Sequence, residues 1–144
     1  MTTDLDEDQV LGELLAAEHQ AVYAYGVLGA HLDERRRVLA LSAYDTHRTE
    51  RDTLLARLQA RQLPTPGPAL SYALTVISPG SAAHQAISLE EGLSVLWLDL
   101  VSVAESADVR QLAVQGLSGA AVRATRWRQV AGVQPLTLPF PGQV

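Results

Sequence analysis

Three ionisable residues stand where a helix would direct them into the interior of a bundle. Glu18 lies seven residues after Leu11 and seven before Tyr25, on the apolar stripe of the first predicted helix. His47 and Glu90 lie on the apolar stripes of the second and third predicted helices. A buried carboxylate is costly unless a cation, a metal or several donors pair with it. The sequence therefore predicts a buried polar site whose partners decide its chemistry.

Four helices must position these residues. Hydrophobic periodicity predicts helices over about residues 5–31, 34–63, 79–105 and 107–131 in a single domain spanning residues 1–144. Pro64 ends the second helix and Gly132 caps the fourth. The proline-rich and glycine-rich residues 63–80 are predicted to be a connector, and residues 132–144 an extended tail packed on the bundle. No stretch shows a strand pattern.

The connector lengths select the topology. Short turns after helices one and three predict two antiparallel hairpins. The middle connector can span up to roughly 60 Å, whereas a helix of this size is only about 40 Å long. It can therefore return along the whole bundle. The predicted fold class is all-α, a four-helix bundle with one long crossover, which is the ferritin-like arrangement.

Composition excludes several classes of function. The net charge of −5 argues against nucleic acid or an anionic membrane as the main partner. The absence of cysteine excludes disulfides, thiolate metal sites and cysteine nucleophiles. Charges interrupt every apolar run before it could span a bilayer, and the acidic N-terminus does not resemble a signal peptide. The expected location is the cytoplasm.

Four segments carry a family resemblance: residues 18–26 (EHQAVYAYG), 47–52 (HRTERD), 127–128 (WR) and 138–142 (LPFPG). Together they resemble the ferritin-like family catalogued as domain of unknown function 4439. The resemblance covers nearly the whole chain. It implies a ferritin-like bundle and a homodimer, and it brings no established reaction.

A ferritin-like two-metal site uses one Glu from each of two helices and a Glu-x-x-His pair from each of the other two. Here Glu18 fits on helix one, and either Glu90 or Glu91 fits on helix three. Helix two offers His47, but Tyr44 stands where the preceding Glu is expected. Helix four offers neither residue type. About three of six ligands remain, which is too few for two bridged metals.

The leading hypothesis is that arginines have replaced the metals. Arg51 on helix two and Arg123 on helix four fall on the inner faces and match the two buried acids in number. A guanidinium can bind a carboxylate through two hydrogen bonds. The expected network comprises the following residues: Glu18, Tyr44, His47, Arg51, Glu90 and Arg123.

The alternative is one iron or manganese ion bound by Glu18, His47 and Glu90, with Tyr44 as a fourth ligand. Carboxylates and an imidazole with open positions are typical of non-haem iron sites. Against this reading, a neighbouring guanidinium would repel a dication. His19 is interpreted as a partly buried or interface residue, and Glu50 as a partner of a neighbouring arginine or a solvated acid.

The expected function is non-enzymatic: a scaffold with a degenerate two-metal site and no cofactor, binding a small ligand or a protein partner at the bundle or dimer interface. A homodimer is expected from the family resemblance and from the apolar content of helices one and three. The alternative function is an iron- or manganese-binding protein or oxidase that uses the residual ligands.

Overall fold

The computed structural model describes residues 5–76 and 78–143. It contains four long α-helices: α1 (Glu7–Leu28), α2 (Glu34–Ala60), α3 (Pro79–Val103) and α4 (Ala107–Ala131). A single 3-10 turn, Gly29–His31, joins α1 to α2. No strand forms within the described ranges. The predicted all-α class, with two hairpins and one long crossover, is confirmed.

Each helix begins at a side chain that caps its free backbone N–H groups. Asp6 accepts from the Gln9 N–H at 2.8 Å, and Asp33 accepts from the Arg36 N–H at 2.9 Å. Ser78 forms a reciprocal capping box with Ser81 at the start of α3. Gly132 ends α4 with a φ of 68°, as the sequence predicted.

Four of the predicted helix bounds differ from the structure. The start of α1 and the end of α3 each lie two residues inside the predicted range. The residues after Leu28 tighten into the 3-10 turn instead of continuing α1 to residue 31. Helix α2 ends at Ala60, three residues before the predicted end, and Gln62 adopts a φ of 57°. Pro64 therefore lies within the connector and does not directly follow the last helical residue.

The bundle interior has an apolar cluster at each end. One is built around Leu11, Leu54 and Trp97, and the other around Leu28, Ala83 and Trp127. Burying such aromatic and aliphatic side chains is the main stabilising term of a small domain. His47 on α2 and Glu90 on α3 lie between the two clusters along their helices.

Helices α3 and α4 approach closely at Gly116. A Cβ atom at this buried position would clash with the indole ring of Trp97. Glycine thus lets the ring lie flat against the α4 backbone, which fixes the register of the second hairpin. None of the described helices is long and apolar enough to cross a membrane.

Candidate functional site: a buried carboxylate–histidine cluster

Glu18 on α1, His47 on α2 and Glu90 on α3 meet in the middle of the bundle, and all three are fully buried. The His47 Nδ1 atom lies 2.7 Å from Glu18 Oε2. On the other side of the ring, Nε2 lies 3.0 Å from Glu90 Oε1. The three residues singled out in the sequence therefore share one site.

Both ring nitrogens of His47 face carboxylate oxygens, which accept hydrogen bonds when they are ionised. The imidazolium form, with an N–H on each ring nitrogen, suits both contacts. Burial alone would lower the pKa of His47, but the contacts with the carboxylates of Glu18, Glu50 and Glu90 outweigh it and raise the pKa to about 11.

The two buried acids respond differently to burial. Desolvation raises the pKa of Glu18 to about 7, and the hydrogen bond from His47 offsets this only in part. Glu90 is equally buried but has more donors around it. His47, Arg123 and Tyr25 together hold the pKa of Glu90 below its usual value.

Glu90 is the most extensively bonded member of the cluster. The Tyr25 hydroxyl donates to its Oε1 atom at 2.6 Å, and the Arg123 Nε–H donates to Oε2 at 3.0 Å. The Tyr25 ring also stacks on the His47 ring, with centroids 5.3 Å apart and planes 17° apart. The predicted contact between Arg123 and Glu90 is present.

Glu50 also contributes to the site, from one turn beyond His47. Its Oε2 atom lies 3.4 Å from His47 Nδ1 and 3.7 Å from an Arg123 terminal nitrogen. The sequence signal was His47-x-x-Glu50, which puts both side chains on one helix face. The ferritin-like pattern has the opposite order, with the Glu three residues before the histidine.

The predicted role of Arg51 is wrong. Its guanidinium pairs with Asp52 at 2.8 to 2.9 Å and does not reach Glu18. Around the axis of α2, Arg51 and Glu50 lie on opposite sides of His47. The Arg51 side chain is partly exposed there, and it pairs with the exposed Asp52 without having to enter the bundle interior.

Tyr44 also lies outside the cluster. It is half-buried, and its ring lies beneath the Arg48 guanidinium at 5.6 Å. The phenol of the site comes instead from Tyr25 on α1. The Tyr25 hydroxyl donates to Glu90.

Two further sequence candidates have structural partners elsewhere. His19 is half-buried, and its Nε2 lies 3.0 Å from the Pro66 carbonyl oxygen, so it ties α1 to the connector. Glu91 accepts from the Arg128 Nε–H at 2.6 Å. Of the two adjacent acids on α3, only Glu90 faces the interior.

Two buried carboxylate oxygens in the cluster have no hydrogen-bond partner: Glu18 Oε1 and Glu50 Oε2. Such atoms are rare in folded proteins and call for an explanation. One ligand atom from each of Glu18, His47 and Glu50 lies within 4.8 Å of the others, so these three could hold a metal ion. This set differs from the predicted set in having Glu50 in place of Glu90.

The fold and site define a helical bundle with a buried cluster of acids, one histidine and one arginine. Residues 10–144 match the model of the family described as Domain of unknown function (DUF4439), and the chain belongs to that family.

A solved structure supports this membership. This chain is similar to the crystal structure of a conserved hypothetical protein, rv2844, from Mycobacterium tuberculosis. The two sequences are 35% identical, and the two structures superpose with a TM-score of 0.84. The similarity covers 86% of this chain and 96% of that one. No curated protein matches the chain.

Proposed function

We propose that the protein is a non-enzymatic, ferritin-like binding scaffold in which a histidine cation and an arginine stand in place of a metal centre. The observation that carries this proposal is the placement of His47 between two carboxylates. A metal ligand needs a free lone pair on the imidazole, and here both ring nitrogens lie within hydrogen-bonding distance of carboxylate oxygens, Nδ1 of Glu18 and Nε2 of Glu90.

The charges of the cluster support this proposal. Glu18, Glu50 and Glu90 supply three negative charges, and His47 and Arg123 supply two positive ones. One proton on Glu18 makes the set neutral, and burial already raises the pKa of Glu18 to about 7. Charge balance therefore needs no metal.

The donor set does not fit a two-metal centre. Helix α4 contributes Arg123 and no carboxylate or imidazole to the cluster, whereas a ferritin-like pair of metals draws ligands from all four helices. Tyr25, His47 and Arg123 already saturate Glu90 with donors.

A second candidate function is binding of one iron or manganese ion by Glu18, His47 and Glu50. The two buried oxygens without partners, Glu18 Oε1 and Glu50 Oε2, favour this candidate. Hard carboxylate oxygens suit these metals. His47 would first have to lose a proton, and Arg123 would remain close to Glu50.

Metal analysis combined with thermal unfolding separates the two candidates. Protein purified from cells supplied with iron and manganese is expected to contain far less than one metal per chain. Excess Mn²⁺ or a chelator should leave its melting temperature unchanged. A metal present at a hundred times its dissociation constant would add about 2.7 kcal/mol and raise the melting temperature by roughly 5–10 °C.

The matched variants are Glu50→Gln and Glu91→Gln. Glu50 lies in the proposed ligand set, whereas Glu91 pairs with Arg128 outside it. One metal per chain that is lost in Glu50→Gln and retained in Glu91→Gln would overturn the scaffold proposal and establish the second candidate.

The scaffold has a candidate ligand site away from the cluster. A cavity of about 280 Å³ lies between α3, α4 and the C-terminal tail. Apolar residues such as Val122, Leu136 and Leu138 line much of it. Polar and charged groups also line it: Ser94, Thr125, Thr137, Gln143 and the Glu91–Arg128 ion pair. Such a site suits a small, mostly apolar molecule with a hydrogen-bonding end.

Filling this cavity should abolish binding of an apolar probe. The fluorescence of anilinonaphthalene sulfonate is expected to rise with the wild-type protein and to rise much less with Ala121→Phe, because Ala121 lines the cavity. The matched control is Ala16→Phe, at an exposed position on α1. Equal signals from the two variants would contradict the assignment of the cavity as the ligand site.

A further inference from the structure

The tail that closes the cavity between α3 and α4 is fixed near its end by a turn at Gly142. The φ of this residue is 83°. A Cβ atom there would lie 2.5 Å from the Ser94 carbonyl oxygen and 2.9 Å from the Leu98 Cβ atom, so only glycine lets the tail pack directly on α3. The outer wall of the cavity is therefore held against the helices.

The start of the tail is fixed by Arg128 on α4. Its Nη1–H donates to the Pro135 carbonyl oxygen at 3.0 Å. The Nε and Nη2 atoms of the same guanidinium lie 2.6 Å and 2.5 Å from Glu91 Oε1 on α3. Arg128 thus links both helices to the tail, and it contacts only one oxygen of its carboxylate partner.

The other carboxylate oxygen of Glu91 is free beside the cavity. No group of residues 5–76 or 78–143 donates to Glu91 Oε2, and the side chain lines the cavity while remaining 30% exposed. A carboxylate oxygen accepts hydrogen bonds and donates none. Glu91 can therefore receive a donor from a bound molecule without giving up Arg128.

The hydroxyl groups of the inner lining also act as acceptors. The Ser94 hydroxyl donates to the Glu90 carbonyl oxygen at 2.9 Å, and the Thr125 hydroxyl donates to the Ala121 carbonyl oxygen at 3.0 Å. Each hydroxyl has one hydrogen, and both hydrogens are used within their own helices. Only the lone pairs of these two oxygens remain for a ligand.

We propose that the cavity binds small apolar molecules that carry a primary ammonium group. This inference rests on the proposed ligand site and adds the chemical class of its ligand. An alkyl ammonium has three donors and no acceptor, which suits the free oxygen of Glu91 and the hydroxyl oxygens of Ser94 and Thr125. The apolar part of the lining takes the hydrocarbon.

The charges favour a cation over an anion. A carboxylate ligand would approach the free oxygen of Glu91, and like charges in contact repel each other. The Arg128 guanidinium is already engaged by Glu91 and by the Pro135 carbonyl. The chain as a whole has a net charge of −5, which attracts cations over longer distances.

The volume of the cavity limits the hydrocarbon. It is about 280 Å³, roughly twice the ~150 Å³ of an engineered cavity that holds benzene. A chain of about six carbons with a polar end therefore fits. Hexylamine is a suitable probe, since an alkyl amine is protonated at pH 7, as lysine is.

Ligand-detected NMR titrations with hexylamine, hexanol and hexanoate test the ligand class. The three probes share one hydrocarbon chain and differ in the charge and donors of their polar end. At pH 7, hexylamine is expected to bind about tenfold more tightly than hexanoate, with hexanol between them. Ala121→Phe should abolish hexylamine binding, whereas the exposed control Ala16→Phe should retain it.

The variant Glu91→Gln tests the role of the free carboxylate oxygen. It should lower the affinity for hexylamine by about tenfold and raise that for hexanoate, because Arg128 would lose its carboxylate partner. The control Glu13→Gln removes the same charge from an exposed position on α1 and should keep the wild-type preference. Circular dichroism verifies that both variants fold.

The variant Thr125→Val removes an acceptor while preserving the shape of the side chain, so it tests the site even if Glu91→Gln does not fold. Hexylamine should bind about threefold to tenfold more weakly. The matched control is Thr53→Val on α2. Its hydroxyl also donates to the carbonyl oxygen four residues earlier, but Thr53 does not line the cavity.

The possible failures can be told apart. Hexylamine that binds no more tightly than hexanol or hexanoate would overturn the ammonium class and leave the ligand site in place. An unchanged preference in folded Glu91→Gln, or equal binding by the two threonine variants, would overturn the assigned acceptors. If none of the three probes bound, the ligand site itself would be wrong, while the buried cluster would be unaffected.

Discussion

Replacing His47 with glutamine is expected to lower the free energy of unfolding by about 3–5 kcal/mol, because removing one partner of a buried ion pair leaves the other charge uncompensated. Glu18 and Glu90 would then lie fully buried on either side of a neutral side chain. A loss of this size is a large part of the roughly 5–15 kcal/mol that stabilises a domain. The melting temperature should fall by more than about 10 °C.

Urea unfolding at neutral pH, monitored by circular dichroism, measures this loss. The matched control is His84→Gln, since His84 is exposed and bonds only to the Gly80 carbonyl of its own turn. The control should change stability by no more than about 0.5 kcal/mol. If His47→Gln were as mild as the control, the cluster would not fix the packing of the helices, and the scaffold proposal would lose its physical basis.

Spacing along the chain sufficed to predict most of the fold. The apolar stripes identified four helices, and the length of the residue 63–80 connector distinguished one long crossover from an up-and-down bundle. The end of α2 was predicted three residues too late from the position of Pro64. A proline limits how far a helix can extend but does not show where the helix ends. The chain leaves the helix at Arg61, and no residue type between Ala60 and Pro64 marks that end.

The site was predictable where a charged residue interrupts an apolar stripe. Glu18, His47, Glu90 and Arg123 all satisfy this rule, and all four are in the cluster. Glu50 does not satisfy it, since it stands beside the stripe and is only partly buried.

Tyr25 fits the pattern of an ordinary core aromatic, and its role depends on a hydroxyl contact with a residue 65 positions away. Arg51 satisfied the stripe rule, but the carboxylate of Asp52 next to it offered a solvated alternative. Competition between local and distant partners of this kind is not visible in periodicity.

The apolar content of α1 and α3 led to the prediction that these helices form a dimer interface. In the structure, that content is largely used inside the bundle, where Leu11, Leu14, Leu93 and Trp97 are buried. The homodimer stays a prediction.

The stability of the metal-free protein is expected to decrease as the pH rises from about 5 to about 9, the reverse of the usual gain when paired carboxylates ionise. The pKa of Glu18 in the folded state is about 7, above its ordinary value of 4.5. Between these values the native state holds a proton that the unfolded chain has released. The contribution of Glu18 is therefore complete below 4.5 and is lost as the pH rises through 7.

His47 acts in the same direction at higher pH. Its folded pKa of about 11 exceeds its ordinary value of 6.5. Its contribution is present below 6.5 and is lost as the pH rises toward 11. The pKa of Glu90 is lowered, so its contribution is lost only as the pH falls below the ordinary range of a carboxyl group. Stability should thus be greatest in mildly acidic solution.

The variant Glu18→Gln isolates one step of this dependence. Between about pH 5 and pH 6, His47 is largely protonated in both states, so Glu18 accounts for most of the change within the cluster. Each pH unit in which the native state holds one extra proton costs about 1.4 kcal/mol. Urea unfolding with a chelator present should show a clear loss for the wild type and little for Glu18→Gln.

Glu13→Gln, at an exposed position of the same helix, should keep the wild-type slope. Equal slopes in all three proteins would mean that Glu18 is ionised throughout this range. The cluster would then carry a net negative charge in the core, and a bound cation would become the better explanation for the unpartnered oxygens of Glu18 and Glu50.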